Sequence, residues 1–217
     1  MLLWEIALFL VLYCPTLDIK KENSMNELFD SLTGERLYLN AEERKAFLEK
    51  AKAQENNIKY FSLMLYYTGC RLNEALGLMV GSIDFKNQAV IIRSLKKKGK
   101  VHFRHIPLPE SFLNELAGAY NLRTRRKNKK NHNDKIWDFT DRTARRYVTK
   151  IMSQAGVTGK KACPKGLRHS FGVSAVEKDI PITEVQELLG HTFLKNTAIY
   201  TKVKGTEKRN LVSRLWE

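Results

Sequence analysis

The chain has 217 residues, of which 43% are hydrophobic and 28% are charged. That composition supplies an ordinary buried core and excludes a chain that is disordered throughout. Thirty-eight Lys and Arg against 23 Asp and Glu leave a formal charge of +15. Such an excess favours a polyanion, because binding releases its condensed counterions. Nucleic acid is the expected partner, and a membrane surface is less favoured because the basic residues form no single amphipathic, Trp-rich helix.

The first 37 residues carry no clear targeting signal. The run MLLWEIALFLVLYCP contains Glu5 and is shorter than the roughly 20 residues that a membrane span needs. We interpret residues 1–37 as an extension and linker. Cys14, Cys70 and Cys163 are widely spaced without a CxxC pair, so neither a disulfide framework nor a metal site is expected. A cytoplasmic protein without a cofactor fits best.

Regular helical patterns begin after a polar segment, 18–36, that is typical of a linker. Asn40 followed by Glu43 resembles a capping box and predicts a helix over AEERKAFLEKAKA. A second helix is predicted over about 57–67, with Gly69 as its left-handed cap. A third covers RLNEALGLM, where apolar residues recur at helical spacing. Its polar residues Arg71 and Glu74, three apart, should be neighbours on that helix.

The pattern then changes to short β-branched runs over residues 83–108, which predict a three-stranded antiparallel meander. A helix over about 110–119 and a polar, basic loop over 121–135 should follow. The segment DRTARRYVTKIMSQAG predicts a helix with one apolar side and one cationic side. The cationic side carries Arg142, Arg145, Arg146 and Lys150, which either contact DNA or form a solvated surface.

Two more helices are predicted, over about 165–178 and 184–189, the second capped by Thr183 with Gln186 and ended by Gly190. The tail RNLVSRLWE repeats amphipathic spacing through Leu211, Val212, Leu215 and Trp216. The expected fold is therefore α+β but mainly α, with one small antiparallel sheet.

Four residues in this frame suggest phosphoryl transfer. Arg71 and Arg168 each lie near an element end between apolar segments, where a guanidinium is costly unless an anion approaches it. The planar fork of Arg matches phosphate oxygens two at a time. His191 can contact a third oxygen, and Tyr200 supplies a hydroxyl whose pKa a cluster of cations would lower. Each residue alone has an ordinary structural explanation, so the prediction depends on their joint occurrence.

The joint pattern resembles the tyrosine recombinases, the phage integrase family, over about residues 38–205. The similar segments are YYTGCRLNEALGL, KKKGKVHFRHIPLP, KGLRHSFGVSAVE and VQELLGHTFLKNTAIYTKV. The resemblance implies a catalytic domain over 38–217 that recombines DNA site-specifically. The family usually has a separate DNA-binding domain before the catalytic one, so the resemblance leaves residues 1–37 as either a linker or a remnant of that domain. In that reading Arg71, Arg168 and His191 bind the scissile phosphate. Tyr200 attacks the phosphorus, forming a 3′-phosphotyrosyl link and releasing a 5′-hydroxyl without a metal.

The resemblance also implies that a lysine in the hairpin turn acts as general acid and that Glu74 orients Arg71. We choose Lys97, because the family often has Lys-x-Gly-Lys there, while Lys96, Lys98 and Lys100 remain alternatives. One departure concerns Lys165, where the family usually has His. Lysine keeps a donor and a charge but cannot readily accept the tyrosine proton when protonated.

The family implies double-stranded DNA as partner and a tetramer assembled through the C-terminal helix, although packing of the tail within one chain is equally compatible. Two other functions remain open. A catalytically silent DNA-binding relative would regulate a mobile element, and a relaxing topoisomerase would use the same chemistry without strand exchange.

Overall fold

A computed structural model describes residues 28–95 and 101–202, together with residues 209, 212, 213, 215 and 216 near the C-terminus. Several residues singled out above lie outside the described residues: Lys96, Lys97, Lys98, Lys100, Leu211 and the apolar run at the start of the chain.

Helices account for most of the described residues. In chain order they are α1 (Ala41–Lys52), α2 (Asn56–Thr68), α3 (Leu72–Leu76), α4 (Glu110–Ala119), α5 (Leu122–Lys127), α6 (Asp141–Gln154), α7 (Pro164–Glu177), α8 (Ile182–Leu189) and α9 (Lys195–Ala198). Short 3₁₀ turns cover Val80–Ser82, Lys129–Asn133 and Ile199–Thr201. With the sheet described next, this arrangement confirms the predicted mainly helical α+β fold.

The sheet consists of three antiparallel strands in the order β1 (Ile83–Asp84), β2 (Ala89–Leu95) and β3 (Val101–Pro107). It is the predicted meander. Because side chains alternate between the two faces of a strand, β3 buries Arg104 and Ile106 while Phe103 on the other face is exposed. The buried face of the sheet therefore carries an arginine towards the helices.

Helices α1 and α2 are capped as the sequence predicted. The Asn40 side chain accepts from the Glu43 backbone N–H at 2.8 Å, and the Glu43 carboxylate accepts from the Asn40 N–H at 2.9 Å. This reciprocal pair satisfies two N–H groups that an α-helix leaves without partners. Helix α2 ends at Gly69, whose φ of 58° lies in the left-handed region that glycine adopts without steric cost.

The core has two parts. The larger part surrounds α2, which is buried on most of its circumference and packs against α1, α3, α6 and α7. The smaller part gathers Leu28, Tyr38, Val173, Val185 and Leu189 around the ring of Tyr200. The residue with the predicted nucleophilic hydroxyl thus lies inside a hydrophobic cluster.

Two local expectations were wrong. Residues 121–135 are not a loop, since α5 and a 3₁₀ turn occupy them and Leu122 anchors α5 in the core. Arginine and lysine are good helix formers, so their charge was a poor indicator of a loop. Helix α8 begins at Ile182 with Pro181 as its N-cap, so Thr183 lies inside the helix rather than at its cap; proline is tolerated there because the N-cap N–H has no partner within the helix.

Residues 28–36 are the described end of the predicted linker. They form a turn in which the Leu37 N–H donates to the Leu28 carbonyl, and Leu28 packs in the smaller core. No helix in the described ranges is long and apolar enough to cross a membrane.

Candidate active site

Arg168 is the most deeply buried of the predicted phosphate ligands, with 8% of its surface exposed on α7. Its Nη1 donates to the Gly69 carbonyl at 2.7 Å and its Nη2 to the Leu189 carbonyl at 2.7 Å. Burial, followed by the charge of Arg71, lowers the pKa of Arg168 to about 10, which leaves the guanidinium protonated at neutral pH. It therefore joins the C-terminal ends of α2 and α8, where carbonyl dipoles favour a cation.

Arg71 lies two residues beyond Gly69 and is the N-cap of α3. Its backbone N–H donates to Glu74 Oε2 at 2.8 Å, and its Nη1 donates to Glu74 Oε1 at 3.1 Å. The side chain is 50% exposed. Glu74 thus holds the guanidinium from one side, as the sequence suggested, and leaves its other side open to an incoming anion.

His191 follows the left-handed cap Gly190 of α8. Its Nδ1 lies 2.9 Å from the Thr197 hydroxyl. Burial, and then the charges of Arg168 and Arg71, lower the pKa of His191 to about 3, so the ring is neutral at physiological pH. When the Thr197 hydroxyl donates to Nδ1, the ring proton resides on Nε2 and is available to an acceptor.

Tyr200 occupies the 3₁₀ turn after α9 and is 1% exposed. Its ring lies nearly parallel to that of His191, with the ring centroids 6.2 Å apart, and its hydroxyl is 3.2 Å from Nδ1 of His169. The ring also covers Gly172 of α7, where a Cβ would lie 2.6 Å from the tyrosine Cζ. The hydroxyl is therefore close to the cationic cluster but is shielded from solvent.

The expected lowering of the tyrosine pKa is wrong for this state of the protein. Burial raises the pKa of Tyr200, and the opposing charges of Arg168 and Arg71 only partly offset it. The sequence argument counted the cations but had no measure of burial. The phenol is protonated here.

A buried ion pair between Arg104 and Glu74 lies next to Arg71. The Arg104 guanidinium donates to Glu74 through Nη2 at 2.5 Å and Nη1 at 3.2 Å, and its Nε donates to the Leu188 carbonyl at 3.0 Å. Ser94 donates to Glu74 Oε1 at 2.7 Å and also contacts Arg104. Burial alone would raise the pKa of Glu74, but the hydrogen bond and charge of Arg104 outweigh it and lower that pKa to about 2.

The structure places the remaining predicted residues further out or leaves them undescribed. Lys165 is exposed in the first turn of α7, one turn before Arg168, and lines a cavity with Asp30, Lys160 and His169. Lys97 lies outside the described residues. The cationic side of α6 is exposed: Arg142, Arg145, Arg146 and Lys150. Among them, Arg145 is paired with Asp141 at 2.6 Å.

Sequence reasoning missed two residues that contact the site, Arg104 and His169. The sequence does contain an indication that Arg104 is buried. It lies two residues before the apolar Ile106 in β3, and alternate residues of a strand face the same side of the sheet. His169 directly follows Arg168 in the sequence, but nothing in a helical pattern says that its ring reaches the Tyr200 hydroxyl.

Taken together, the arrangement provides two guanidinium groups and a neutral imidazole N–H next to one phenol. Fixed donors of this kind stabilise negative charge that develops on a tetrahedral or trigonal bipyramidal oxyanion. The set is suited to a phosphodiester, whose non-bridging oxygens accept from arginine in pairs.

Comparisons with known proteins agree with this geometry. The model of the phage integrase family matches residues 37–207. The tyrosine recombinase XerA of Pyrococcus furiosus is 33% identical over 186 residues, which cover 81% of this chain and 60% of the relative. The tyrosine recombinase XerC of Listeria innocua is 35% identical over 149 residues, 64% of this chain and 47% of the relative. The chain spans about half of the length of these curated relatives.

Solved structures give the same result. The crystal structure of XerA recombinase has a TM-score of 0.68 at 26% identity, covering 83% of this chain and 65% of that one. The XerH site-specific recombinase bound to its palindromic difH substrate, a post-cleavage complex, has a TM-score of 0.67 at 25% identity, covering 88% and 56%. The catalytic domain of bacteriophage HP1 integrase shares the fold at a TM-score of 0.56 and 17% identity, covering 81% and 93%.

Proposed function

Because the chain belongs to the phage integrase family, we propose that it is a site-specific DNA recombinase whose Tyr200 forms a covalent link to a DNA 3′-phosphate. The supporting observation is that separate segments of the chain meet at Tyr200: the charges of Arg168 and Arg71 act on its phenol, and the ring of His191 lies nearly parallel to its ring. Residues 38–217 are the proposed catalytic domain.

The proposed reaction exchanges one phosphodiester for another. The Tyr200 oxygen bonds to phosphorus, the bond from phosphorus to the 5′-oxygen breaks, and the phenol proton leaves to solvent or a neighbouring base. Arg71 and Arg168 neutralise charge on the non-bridging oxygens, and His191 donates to one of them. Lys97 gives a proton to the departing 5′-oxygen. The reverse steps join a new 5′-hydroxyl to the phosphotyrosine, so bond energy is conserved without a cofactor.

Tyr200 must move or become uncovered before it reacts, because a side chain that is 1% exposed cannot touch a phosphate. Its hydroxyl has to leave its contact with His169 and approach the phosphorus atom when DNA binds. The approach of the phosphate anion to the cationic cluster supplies the favourable electrostatic energy for this step. Cleavage is thereby coupled to correct DNA binding.

The proposed partner is double-stranded DNA, which matches the formal charge of +15. The exposed cationic side of α6 follows the duplex and contacts phosphates. Assembly into a tetramer on DNA uses the C-terminal tail, where Leu215 and Trp216 are 82% and 70% exposed. The protein acts where chromosomal or mobile DNA is accessible, which for a bacterial or archaeal cell is the cytoplasm.

The test uses short nicked duplexes tiled across the DNA that flanks the gene, since cleavage next to a nick releases a small fragment and traps the protein on DNA. The wild type should form a covalent adduct that survives denaturation, and Tyr200→Phe should form none while binding the same duplex. Tyr147→Phe, which removes a phenol hydroxyl elsewhere in the fold, should retain the adduct. An adduct in Tyr200→Phe contradicts the proposal, and DNA binding without any adduct supports a silent binder instead.

A further inference from the structure

We propose that Arg104 is a positioning residue for the cleavage site, because it shares the Glu74 carboxylate with Arg71 and so leaves the Arg71 N–H groups available to the scissile phosphate. The inference rests on the proposed function, since it assigns a role within that same site. Arg104 does not itself touch the proposed phosphate. It acts through Glu74 and through the turn that carries His191.

The contacts of Arg104 join elements that are distant in sequence. Its side chain is completely buried and bonds to Glu74 in α3, to Ser94 in β2 and to the Leu188 carbonyl near the end of α8. One planar guanidinium therefore fixes the start of the Arg71 helix against the end of the helix that precedes His191. A lysine carries its three N–H donors on one nitrogen and cannot reach partners that Arg104 contacts through three separate nitrogens.

Arg168 also joins the segment before α3 to the end of α8. It binds the carbonyl of Leu189, next to the Leu188 carbonyl that Arg104 binds, and it also binds Gly69, two residues before Arg71. The path from Arg71 through Glu74, Arg104, the end of α8, Arg168 and Gly69 returns to Arg71. This closed ring of contacts sets the spacing between the two phosphate-binding arginines and His191.

The turn that carries His191 lies directly on the Arg104 guanidinium. A Cβ built on Gly190 would be 2.8 Å from Nη1 and 3.0 Å from Cζ of Arg104. Glycine at this position allows both the left-handed φ of 67° and the close approach to Arg104. A change in the position of Arg104 would therefore be transmitted to His191 as well as to Glu74.

Charge explains why the shared carboxylate matters. Glu74 carries one negative charge and contacts two arginines, with a shorter and bidentate contact to Arg104 than to Arg71. With Arg104 present, the group of three keeps a net charge of one positive unit. Without Arg104, Glu74 would neutralise Arg71 and compete with the phosphate for its N–H groups.

The first experiment measures single-turnover adduct formation on the nicked duplex with enzyme in excess. Arg104→Met should lower the rate constant at saturating DNA by about 100-fold, the scale expected when one oxyanion-stabilising group is lost. The DNA concentration at half saturation should change by less than about 3-fold, because Arg104 is buried away from the duplex. A merely unfolded fraction would lower the amplitude of the reaction and leave the rate constant unchanged.

The decisive experiment measures Glu74→Gln alone and then combines it with Arg104→Met. The double variant leaves no unpaired buried charge and frees Arg71 from neutralisation, so its rate constant should exceed that of Arg104→Met by about 10-fold. Arg104→Lys should also lower the rate constant, but by less than Arg104→Met does. The matched control is Arg93→Met, which removes an exposed arginine from the adjacent strand without touching the ring and should keep the half-reaction within about 3-fold of wild type.

Each outcome decides one question. A rate constant for Arg104→Met within about 3-fold of wild type overturns the proposed role of Arg104 and leaves the proposed function standing. The role is also overturned if the rate constant of the double variant is as low as the product of the two single-variant effects predicts. A wild-type protein that forms no adduct on any duplex overturns the proposed function and this role with it.

Discussion

At the scale of single residues, the buried histidine beside the nucleophile is the feature with the clearest energetic consequence. His169 is 5% exposed, and burial followed by the charges of Lys165 and Arg168 lowers its pKa to about 3. The neutral ring faces the Tyr200 hydroxyl, and its Nε2 has no hydrogen-bond partner among the described residues. The protein thus keeps both the histidine and the phenol uncharged in the absence of DNA.

This histidine should make the fold sensitive to acid. The unfolded chain binds a proton at His169 below a pKa of 6.5, whereas the folded chain does so only near 3, so stability falls as the pH drops from 6.5 towards 3. At pH 5 the loss from His169 should be about 2 kcal/mol. In denaturant unfolding, the free energy of unfolding of His169→Gln should therefore fall by about 2 kcal/mol less than that of the wild type between pH 7 and pH 5. His105→Gln, at an exposed position, should lose as much free energy of unfolding as the wild type between the two pH values. An equal loss in both variants would refute the explanation.

Lys165 allows a second prediction at this scale. The residue is exposed one helical turn before Arg168, where its charge can approach a bound phosphate. Lys165→Ala should lower the adduct rate by roughly 10-fold or more, and Lys165→His should largely keep it, because both side chains donate a hydrogen bond to an anion. Loss of the reaction in Lys165→His, with DNA binding intact, would show that this position needs a permanent charge.

At the scale of elements, the contact between α7 and the turn of Tyr200 depends on glycine. A methyl group at Gly172 would lie 2.6 to 2.7 Å from three atoms of the tyrosine ring, whereas one at Gly118 of α4 would meet nothing within 4 Å. Gly172→Ala should therefore destabilise the fold by about 1 to 3 kcal/mol despite the better helix propensity of alanine. Gly118→Ala should stabilise it by about 0.5 to 1 kcal/mol.

Denaturant unfolding of the two glycine variants checks this comparison. In a Tyr200→Ala background the ring is absent, and Gly172→Ala should become neutral or stabilising. If Gly172→Ala destabilises equally with and without the Tyr200 ring, the packing of Tyr200 on α7 is not the cause.

Helix α6 carries the prediction for DNA binding. Arg142, Arg146 and Lys150 follow one another at intervals of four residues and are all exposed, whereas Arg145 is paired with Asp141. Replacing these three with Gln should reduce the slope of log K against log salt by up to about 3, if each contacts a phosphate. Replacing Lys45, Lys50 and Lys52, three exposed lysines of α1, is the charge-matched control. Equal slopes for the two triple variants would place the DNA elsewhere.

At the scale of the whole molecule, local patterns predicted the elements and not their contacts. Asn40 with Glu43, and Gly69 after an apolar helix, mark helix ends because capping depends on neighbouring residues. The pairing of Arg168 with the Gly69 and Leu189 carbonyls depends on how three helix ends meet. That meeting is set by packing throughout the core, which one sequence does not reveal.

The same limit explains the sign error at Tyr200. Cations close in space lower the pKa of a phenol and burial raises it, and only coordinates show which effect is larger. Residues such as Arg71 and His191 could be singled out because their spacing matched a known family. Arg104 and His169 act through contacts across the fold, and no spacing rule connects Arg104 in β3 with Leu188 in α8.

The central claim is that Tyr200 is the nucleophile of a phosphate site formed by Arg71, Arg168 and His191. The most direct test is mass spectrometry of the peptide that remains bound to DNA after the wild-type protein reacts with a nicked duplex and is digested. The predicted result is a single peptide in which Tyr200 is joined to a 3′-phosphate, together with a released fragment that carries a free 5′-hydroxyl. A link at any other residue, or a link to a 5′-phosphate, would contradict it.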